Sequence, residues 1–459
     1  MKSSRDSPLP CTCVMRRVTK SRCCSAEGGV NVQPFTAVQV FGVKSMSVAS
    51  KAAPGRSHAP EIIVAAGCLI ALITFGPRAS AGLFQIPMTV QFGWGRDTFG
   101  LALAIQNLLW GLGAPFAGAI ADRYGIVKVF CVGALLYGAG LVVMALATTP
   151  LQLQLGAGVL IGFGLSACSF NLVLAAFGKL LPESWRPMAF GAGTAAGSFG
   201  QFLYPPIGNI LIDQIGWNQA LMVFALTLLP ILPLSIFLSM RKLGGTTQAS
   251  AVNLPNQSIA QALTEAFKHR SYVLLVLGFF TCGFQLAFIT VHMPAYLKDM
   301  GLPAWVGGWT LAVIGLANAV GSLSSGWLST RMPKRHLLAW IYFGRSLAIA
   351  VFILLPPSPV TAIAFGVVIG LFWLSTVPPT SSLVMLMFGT KYMAMLYGFA
   401  FFSHQVGGFL GVWLGGLLYE AFGSYIVVWW LSVALGIASA LINLPIVEKP
   451  VERGVPQPA

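Results

Sequence analysis

Residues 75–84 of the sequence read FGPRASAGLF, and they place an arginine inside a segment that otherwise has the composition of a membrane helix. Between Ile62 and Val90, Arg78 is the one fully charged side chain. A cation near the bilayer centre costs about 2.5–3.5 kcal/mol on insertion scales, so such a residue normally faces the interior of a helix bundle. We therefore predict a membrane helix whose arginine faces an internal cavity.

The composition of the whole chain agrees with this interpretation. Of its 459 residues, 56% are hydrophobic and 8% are charged, whereas soluble domains carry about 25% charged residues. The formal net charge is +15, but the basic residues cluster in the first 57 residues and in short segments between apolar runs. This distribution indicates membrane topology, so we expect a lipid bilayer and no nucleic acid as partner.

Apolar runs of about 20 residues, the length that crosses a bilayer, occur twelve times. Their approximate spans are 62–90, 97–120, 126–147, 151–178, 188–212, 217–240, 271–297, 303–328, 336–355, 359–388, 393–418 and 422–445. Arg96 and Lys298 are the only basic residues in one set of connecting segments, whereas every segment of the other set carries lysine or arginine. Because basic loops stay in the cytoplasm, both termini are predicted to be cytoplasmic, in a multi-pass protein of the cell inner (plasma) membrane.

The apolar runs divide into two sets of six. Two predicted six-helix bundles, residues 61–240 and 271–447, are joined by a polar cytoplasmic linker at 241–270. Residues 1–60 form a basic tail whose composition is typical of disorder, and residues 448–459 form a second cytoplasmic tail. Met46 begins a shorter lead-in, so the absence of residues 1–45 from the mature protein is an alternative.

The two sets also repeat each other. A shift of 207 residues aligns Gly76 with Gly283, Arg78 with Gln285 and Asp213 with Glu420. Parallel six-helix repeats place a substrate site between the halves, near the middle of the membrane. We therefore predict an all-α integral membrane fold of twelve transmembrane helices in two six-helix pseudo-repeats.

The segment after the second predicted span reads GAIADRYGIVK, residues 118–128. It resembles the signature loop of the major facilitator superfamily, G-x-x-x-D-R-x-G-x-x-[KR]. The resemblance implies the major facilitator fold and a gating loop that steadies one state of the transport cycle. The loop residues are Gly118, Asp122, Arg123, Gly125 and Lys128.

Within that superfamily, several segments resemble the monocarboxylate-transporter-like branch, and its bacterial members in particular. These segments are FGPRAS at 75–80, RPMAFG at 186–191, HMPAY at 292–296, TVPPT at 376–380 and FSHQ at 402–405. The resemblance places Arg78 where the branch has a substrate-binding lysine. Animal members of the branch carry an Asp and Arg pair in the eighth helix. Residues 303–328, the eighth predicted span, carry no charge, so this chain lacks that pair.

The candidate substrate-binding residues are polar groups inside predicted spans. Arginine binds carboxylate through a planar fork and stays charged at working pH, which makes Arg78 the first candidate. Histidine changes charge near neutral pH, so His292 and His404 are candidates for the site and for a proton. The remaining candidates are Gln285, Asn171 and Tyr204.

For several of these polar residues, interhelical hydrogen bonding is the alternative role. It applies to Asn171, Tyr204, Gln106, Asn107 and Gln201. For Arg78 the alternative is a bond to the backbone of a helix broken at Pro77. Arg345 lies in the ninth span, for which we expect a partner on the eighth or tenth span rather than a ligand.

Together these features predict a monomeric secondary transporter for a small organic anion, by resemblance a monocarboxylate, that works by alternating access with coupling to protons. Anion exchange is the alternative to proton coupling. A drug/proton antiporter of the same fold and a transporter-like sensor are the alternatives. The antiporter hypothesis is weakened because all twelve acids lie in tails, loops or span ends. No P-loop for a nucleotide, no zinc spacing and no catalytic triad is found, so we predict no enzyme activity, cofactor or metal.

Overall fold

The computed structural model describes residues 59–168, 170–182, 185–239, 258–389 and 392–451, all within one compact unit, Gly55–Ala459. The predicted tail before residue 59, the linker up to residue 257 and the end of the second tail lie outside these residues. The helices are α1 (Pro60–Ala79), α2 (Gln85–Phe92), α3 (Arg96–Tyr124), α4 (Ile126–Ala145), α5 (Pro150–Leu153), α6 (Ile161–Ala167), α7 (Phe170–Leu180), α8 (Arg186–Ile215), α9 (Trp217–Thr227), α10 (Ile231–Phe237), α11 (Ile259–Lys268), α12 (Arg270–Asp299), α13 (Ala304–Leu328), α14 (Lys334–Leu354), α15 (Pro359–Phe372), α16 (Val377–Phe388), α17 (Met393–Phe422) and α18 (Ile426–Asn443).

The predicted all-helical membrane fold is confirmed, since the described residues contain no strand. Eleven helical stretches of the described chain are long and apolar enough to cross a membrane. The predicted fifth span, α8, has 30 residues but is not among the eleven. Its polar residues serve packing: Asn209 donates to the carbonyl of Ala304 at 3.1 Å, and Ser198 accepts from Asn318 at 3.1 Å.

One helix was not expected from the sequence. The part of the predicted linker that the structure describes contains α11, whose start is fixed by a capping box. The Ser258 hydroxyl accepts from the Gln261 N–H at 3.2 Å, and the Gln261 side chain accepts from the Ser258 N–H at 2.9 Å. Both bonds satisfy groups that a helix start leaves without partners.

Several spans are interrupted at proline. After Pro77, α1 ends and a 3₁₀ turn, Ala81–Phe84, leads into α2. The tenth predicted span likewise breaks between α15 and α16, where Arg345 of α14 donates to the Phe372 carbonyl at 3.0 Å from Nε and also bonds the Trp373 carbonyl. Neighbouring groups can satisfy a broken helix in this way inside a membrane. The expected packing role of Arg345, with a partner on the tenth span, is confirmed.

The buried apolar residues form two clusters, one drawn mainly from α1–α10 and the other from α11–α18. Between these helix sets, α3 packs against α17 and α8 packs against α13. Under the sequence repeat α3 corresponds to α13 and α8 to α17, so the two contacts are equivalent. The space that they frame, between the two helix sets, holds the candidate site.

Candidate functional site

A cavity of about 530 Å³ lies between the two helix sets. Its walls come from α1, α3, α7 and α8 on one side and from α12, α13, α16 and α17 on the other. At the helix ends next to the 181–185 and 329–333 connections, Gly191 and Gly326 line the cavity and face open space. The cavity therefore reaches from the middle of the helices toward this end of the bundle.

Arg78 is placed in the cavity wall by the last turn of α1. A helix C-terminus favours a cation there, because its free carbonyls carry partial negative charge. The Nη2 atom of Arg78 donates to Asn107 Oδ1 at 2.7 Å. Asn107 is oriented by its own bond to the Leu103 carbonyl, at 2.9 Å. In place of the backbone bond that was the alternative role of Arg78, the structure shows a bond to a side-chain amide on α3.

The other two guanidinium nitrogens of Arg78 are without partners. Nε and Nη1 are buried and have no hydrogen-bond partner among the described residues. Together they carry three N–H groups, and a buried donor left without a partner costs about 1–3 kcal/mol. Arg78 is therefore a charged group whose hydrogen bonds are incomplete in this structure.

Two further donors line the same cavity. Within the described chain, Trp110 Nε1 and Gln405 Nε2 are buried without a hydrogen-bond partner. The Oε1 atom of Gln405 lies 3.3 Å from Nδ1 of His404, which also lines the cavity. Because the unbonded groups of Arg78, Trp110 and Gln405 are all donors, a ligand that fits them must supply acceptors and, opposite Arg78, negative charge.

Two of the predicted site residues lie elsewhere. Gln285 is buried on the far side of α12, where Nε2 donates to the Ser432 carbonyl of α18 at 2.9 Å. Tyr204 packs against Gly76 and, at 5.3 Å between ring centroids, against Phe224. Neither residue is among the described residues that line the cavity, so these two side chains are not brought to Arg78. The side chain of Asn171 lies outside the described residues.

His292 is also separate from the cavity wall as described. Its Nε2 donates to the Val412 carbonyl of α17 at 2.8 Å, and Nδ1 lies 3.2 Å from Gln85 Nε2 and 3.3 Å from the Tyr425 hydroxyl. Gln85 and His292 are 207 residues apart, the offset of the sequence repeat. Equivalent positions of the two halves therefore meet here, close to the axis that relates them.

The end of the bundle beyond His292 is held together by Arg96, at the start of α3. Its guanidinium binds the Asp299 carboxylate through two bonds, at 2.5 and 2.6 Å, and donates to the Tyr425 hydroxyl at 3.1 Å. It also stacks 3.9 Å from the ring centroid of Tyr419, and its backbone N–H donates to Glu420 at 2.6 Å. We call these residues the Arg96 latch, and they join α3 to the second helix set.

Comparison with known proteins identifies the family. The sequence profile of the Major Facilitator Superfamily matches residues 66–412. The chain belongs to this superfamily. An uncharacterized MFS-type transporter of Bacillus subtilis (strain 168), YcxA, is 26% identical over 389 residues, which cover 81% of this chain and 91% of that protein. Monocarboxylate transporter 13 of Rattus norvegicus is 26% identical over 381 residues, covering 81% of this chain and 86% of that protein.

Solved structures of transporters share the fold. A bacterial homolog of the human lysosomal transporter Spinster, in an inward-facing and unoccupied conformation, matches with a TM-score of 0.64 and 16% identity over 85% of this chain and 96% of that one. A D-xylose-proton symporter matches with a TM-score of 0.63 and 14% identity over 84% of this chain and 97% of that one. At these identities the likeness concerns the fold, and this protein is a multi-pass membrane transporter of the superfamily.

The superfamily loop forms the turn between α3 and α4. Gly125 ends α3 with a φ of 96°, which glycine adopts without strain, and its N–H donates to the Ala121 carbonyl at 3.0 Å. The Arg123 guanidinium lies 5.3 Å from the ring centroid of Tyr124. Gly118 faces open space and Lys128 is exposed, while the side chain of Asp122 lies outside the description. The gating role of this loop stays a prediction.

Trp110 is a site residue that the sequence reasoning missed, and Asn107 appears there only as a packing residue. The two residues are three apart and therefore share one face of α3. A polar and an aromatic residue on the same face of one predicted span are the one signal that could have drawn attention to both. The contribution of Gln405 depends on α17 meeting α3, for which the sequence carries no local signal.

Proposed function

We propose that this protein is a secondary transporter that moves a small organic anion across the plasma membrane by alternating access. The observation that carries the proposal is the incomplete hydrogen bonding of Arg78 in a cavity between the two helix sets. Among the described residues, none accepts a hydrogen bond from Nε or Nη1 of Arg78. A carboxylate offers two oxygens with about four lone-pair sites, so it would complete these bonds and neutralise the charge.

The direction of access follows from the loops. The cavity extends toward the end of the bundle whose connections carry most of the basic residues, and such loops face the cytoplasm. On this basis we assign this conformation to an inward-open state and both termini to the cytoplasm. Opening to the other side requires the bundles 61–240 and 271–447 to rock about the central site and the Arg96 latch to separate.

The monocarboxylate class is supported by the names of relatives such as monocarboxylate transporter 13 of Rattus norvegicus. Coupling to protons is assigned to His404, which lines the cavity beside Gln405. Among the residues that line the cavity as described there is no carboxylate, so a histidine or the substrate acid must carry the proton. The transporting unit is the monomer, because one chain supplies both walls of the cavity.

Counterflow of labelled monocarboxylates into proteoliposomes tests the proposal. Arg78→Ala removes charge-assisted bonds worth about 1.5–3 kcal/mol, so uptake efficiency should fall roughly 10- to 150-fold. Arg78→Lys keeps the charge but loses the fork, and its efficiency should lie between that of Arg78→Ala and the wild type. Arg331→Ala is the control, because Arg331 is exposed and stacks on Trp327.

Two outcomes would contradict the proposal. One is carboxylate uptake by Arg78→Ala at the wild-type rate, which would remove the arginine from the binding site. The other is transport of lipophilic cations in preference to anions, which would favour the drug/proton antiporter.

A further inference from the structure

The cavity wall is an almost continuous chain of aromatic rings. On the first helix set, Phe75 of α1 lies between Phe170 of α7 and Trp110 of α3. The ring centroids are 6.2 Å apart for Phe75 and Phe170 and 6.4 Å apart for Phe75 and Trp110, and both pairs meet edge to face. All three rings line the cavity and are half-buried, so part of each ring remains open to a ligand.

The chain of rings continues across the cleft into the second helix set. Trp110 meets Phe401 of α17 at 5.7 Å, and Phe401 stacks on the His404 imidazole at 5.8 Å. His404 in turn lies 5.0 Å from Phe279 of α12, and Phe279 lies 6.2 Å from Tyr397. Each of these rings also lines the cavity. The aromatic arc therefore runs around both halves and starts beside the donors of Arg78 and Trp110.

The serine and threonine hydroxyl groups of the wall are used within their own helices. Thr194 donates to the Phe190 carbonyl at 2.8 Å, Thr290 to Leu286 at 2.8 Å and Ser322 to Asn318 at 2.6 Å. These side chains cannot donate to a ligand without giving up those bonds. The cavity thus has one cationic, donor-rich region and, beyond it, a wall of rings and aliphatic side chains.

We propose that the substrate is a carboxylate that carries an aromatic ring, rather than a short aliphatic acid of the lactate or pyruvate type. Arg78 binds the carboxylate, and the aryl group lies against the arc formed by Phe75, Trp110 and Phe401. Edge-to-face and offset stacking favour aromatic over saturated rings in such a wall. This inference rests on the proposed anion transport.

The size of the cavity agrees with this class. Lactate has six heavy atoms, and at roughly 30 Å³ per heavy atom, the space that a water molecule takes in the liquid, it needs about 180 Å³. The cavity measures about 530 Å³. An arylalkanoate of eleven heavy atoms needs roughly 330 Å³ on the same scale. The larger acid therefore fits within the cavity and fills more of it than the smaller acid does.

Competition in counterflow and binding to the purified full-length protein, followed by tryptophan fluorescence, test the inference. The probes are 3-phenylpropionate, 3-cyclohexylpropionate with the same number of heavy atoms, lactate, and the neutral 3-phenylpropionamide. We expect 3-phenylpropionate to bind roughly three- to tenfold more tightly than the cyclohexyl acid and more than tenfold more tightly than lactate. The amide should bind at least tenfold more weakly than the phenyl acid.

The outcomes separate the two proposals. If lactate or the cyclohexyl acid binds as tightly as 3-phenylpropionate, the aromatic specificity is overturned while anion transport stands. If the amide binds as tightly as the phenyl acid, the carboxylate site itself is overturned, and the proposed function fails with it.

Substitutions in the arc supply a second test. Phe75→Leu and Phe401→Leu should each weaken 3-phenylpropionate roughly three- to tenfold and leave the affinity for lactate unchanged. Phe116→Leu is the matched control, because Phe116 is a phenylalanine of the first helix set as Phe75 is but is 64% exposed. Equal loss of affinity for both acids in Phe75→Leu and Phe401→Leu would show that the rings do not select the aryl group.

Discussion

Removing the Arg96 side chain should open the closed end of the transporter. Arg96 makes two bonds to Asp299 and one to Tyr425, and it stacks on Tyr419. The side chains of Arg96 and Asp299 are 13% and 25% exposed, so solvent screens the pair only in part. We estimate that the ion pair, its hydrogen bonds and the stacking together stabilise the closed end by about 2–3 kcal/mol. Such a loss shifts the balance of inward-open and outward-open states roughly 30- to 150-fold.

Two graded variants check whether that estimate is right. Arg96→Ala should produce the full shift. Asp299→Asn keeps the ring contact of Arg96 but removes one charge, so its shift should be smaller, about 1 kcal/mol or roughly fivefold. Arg331→Ala is the matched control, because Arg331 also stacks on an aromatic ring, 4.1 Å from Trp327. Both residues of that control pair belong to the second helix set and cannot hold the two sets together.

Distances between spin labels give the measurement. Labels at Val90→Cys and Met300→Cys, in a chain otherwise free of cysteine, sit on exposed positions of the two helix sets near the latch. Double electron–electron resonance should show a growing population with a longer distance in the order wild type, Asp299→Asn, Arg96→Ala. Identical distance distributions in all three, or an equal change in Arg331→Ala, would refute the role of the latch.

Three further predictions concern the interior. Arg345→Met should lower the melting temperature and leave the substrate KM unchanged. The substitution leaves the Phe372 carbonyl without its hydrogen bond, which costs about 1–3 kcal/mol of stability. A large rise in KM with unchanged stability would contradict this prediction. His404→Gln should abolish stimulation of uptake by an inwardly directed proton gradient while counterflow persists, and retained stimulation would place the proton elsewhere. Gly283→Val should destabilise the protein by about 1–3 kcal/mol in thermal unfolding, because Gly283 faces the His404 carbonyl of α17. Gly398 faces open space, so Gly398→Ala should change the stability little.

The features that the sequence predicts well are those with a local signal. Arg78 stands out because it is the one charge in a long apolar run, and the structure places it in a cavity wall. The repeat offset correctly pairs equivalent positions, as the meeting of Gln85 and His292 illustrates. The helical membrane fold follows from the length and number of apolar runs alone.

The orientation of each helix about its own axis is what the sequence does not carry. Arg78 and Gln285 are equivalent in the repeat, yet Arg78 faces the cavity and Gln285 faces Ser432 of α18. The two helices differ because α1 ends after Pro77, whereas α12 has Phe284 at the equivalent position and continues to Asp299. Contacts between distant segments, such as Trp110 with Phe401, depend on how two long helices cross and leave no trace in a short window of sequence.

The unneutralised charge of Arg78 has a consequence for the electrical behaviour of transport. An empty site carries one positive charge between the two solutions, and a site that holds a carboxylate together with the coupled proton again carries one. Moving one charge through 100 mV is worth about 2.3 kcal/mol, and a site near the middle of the membrane experiences part of that field. Because the loaded and the empty transporter cross the field with the same charge, these contributions cancel over a full cycle, and proton-coupled net uptake should carry no current.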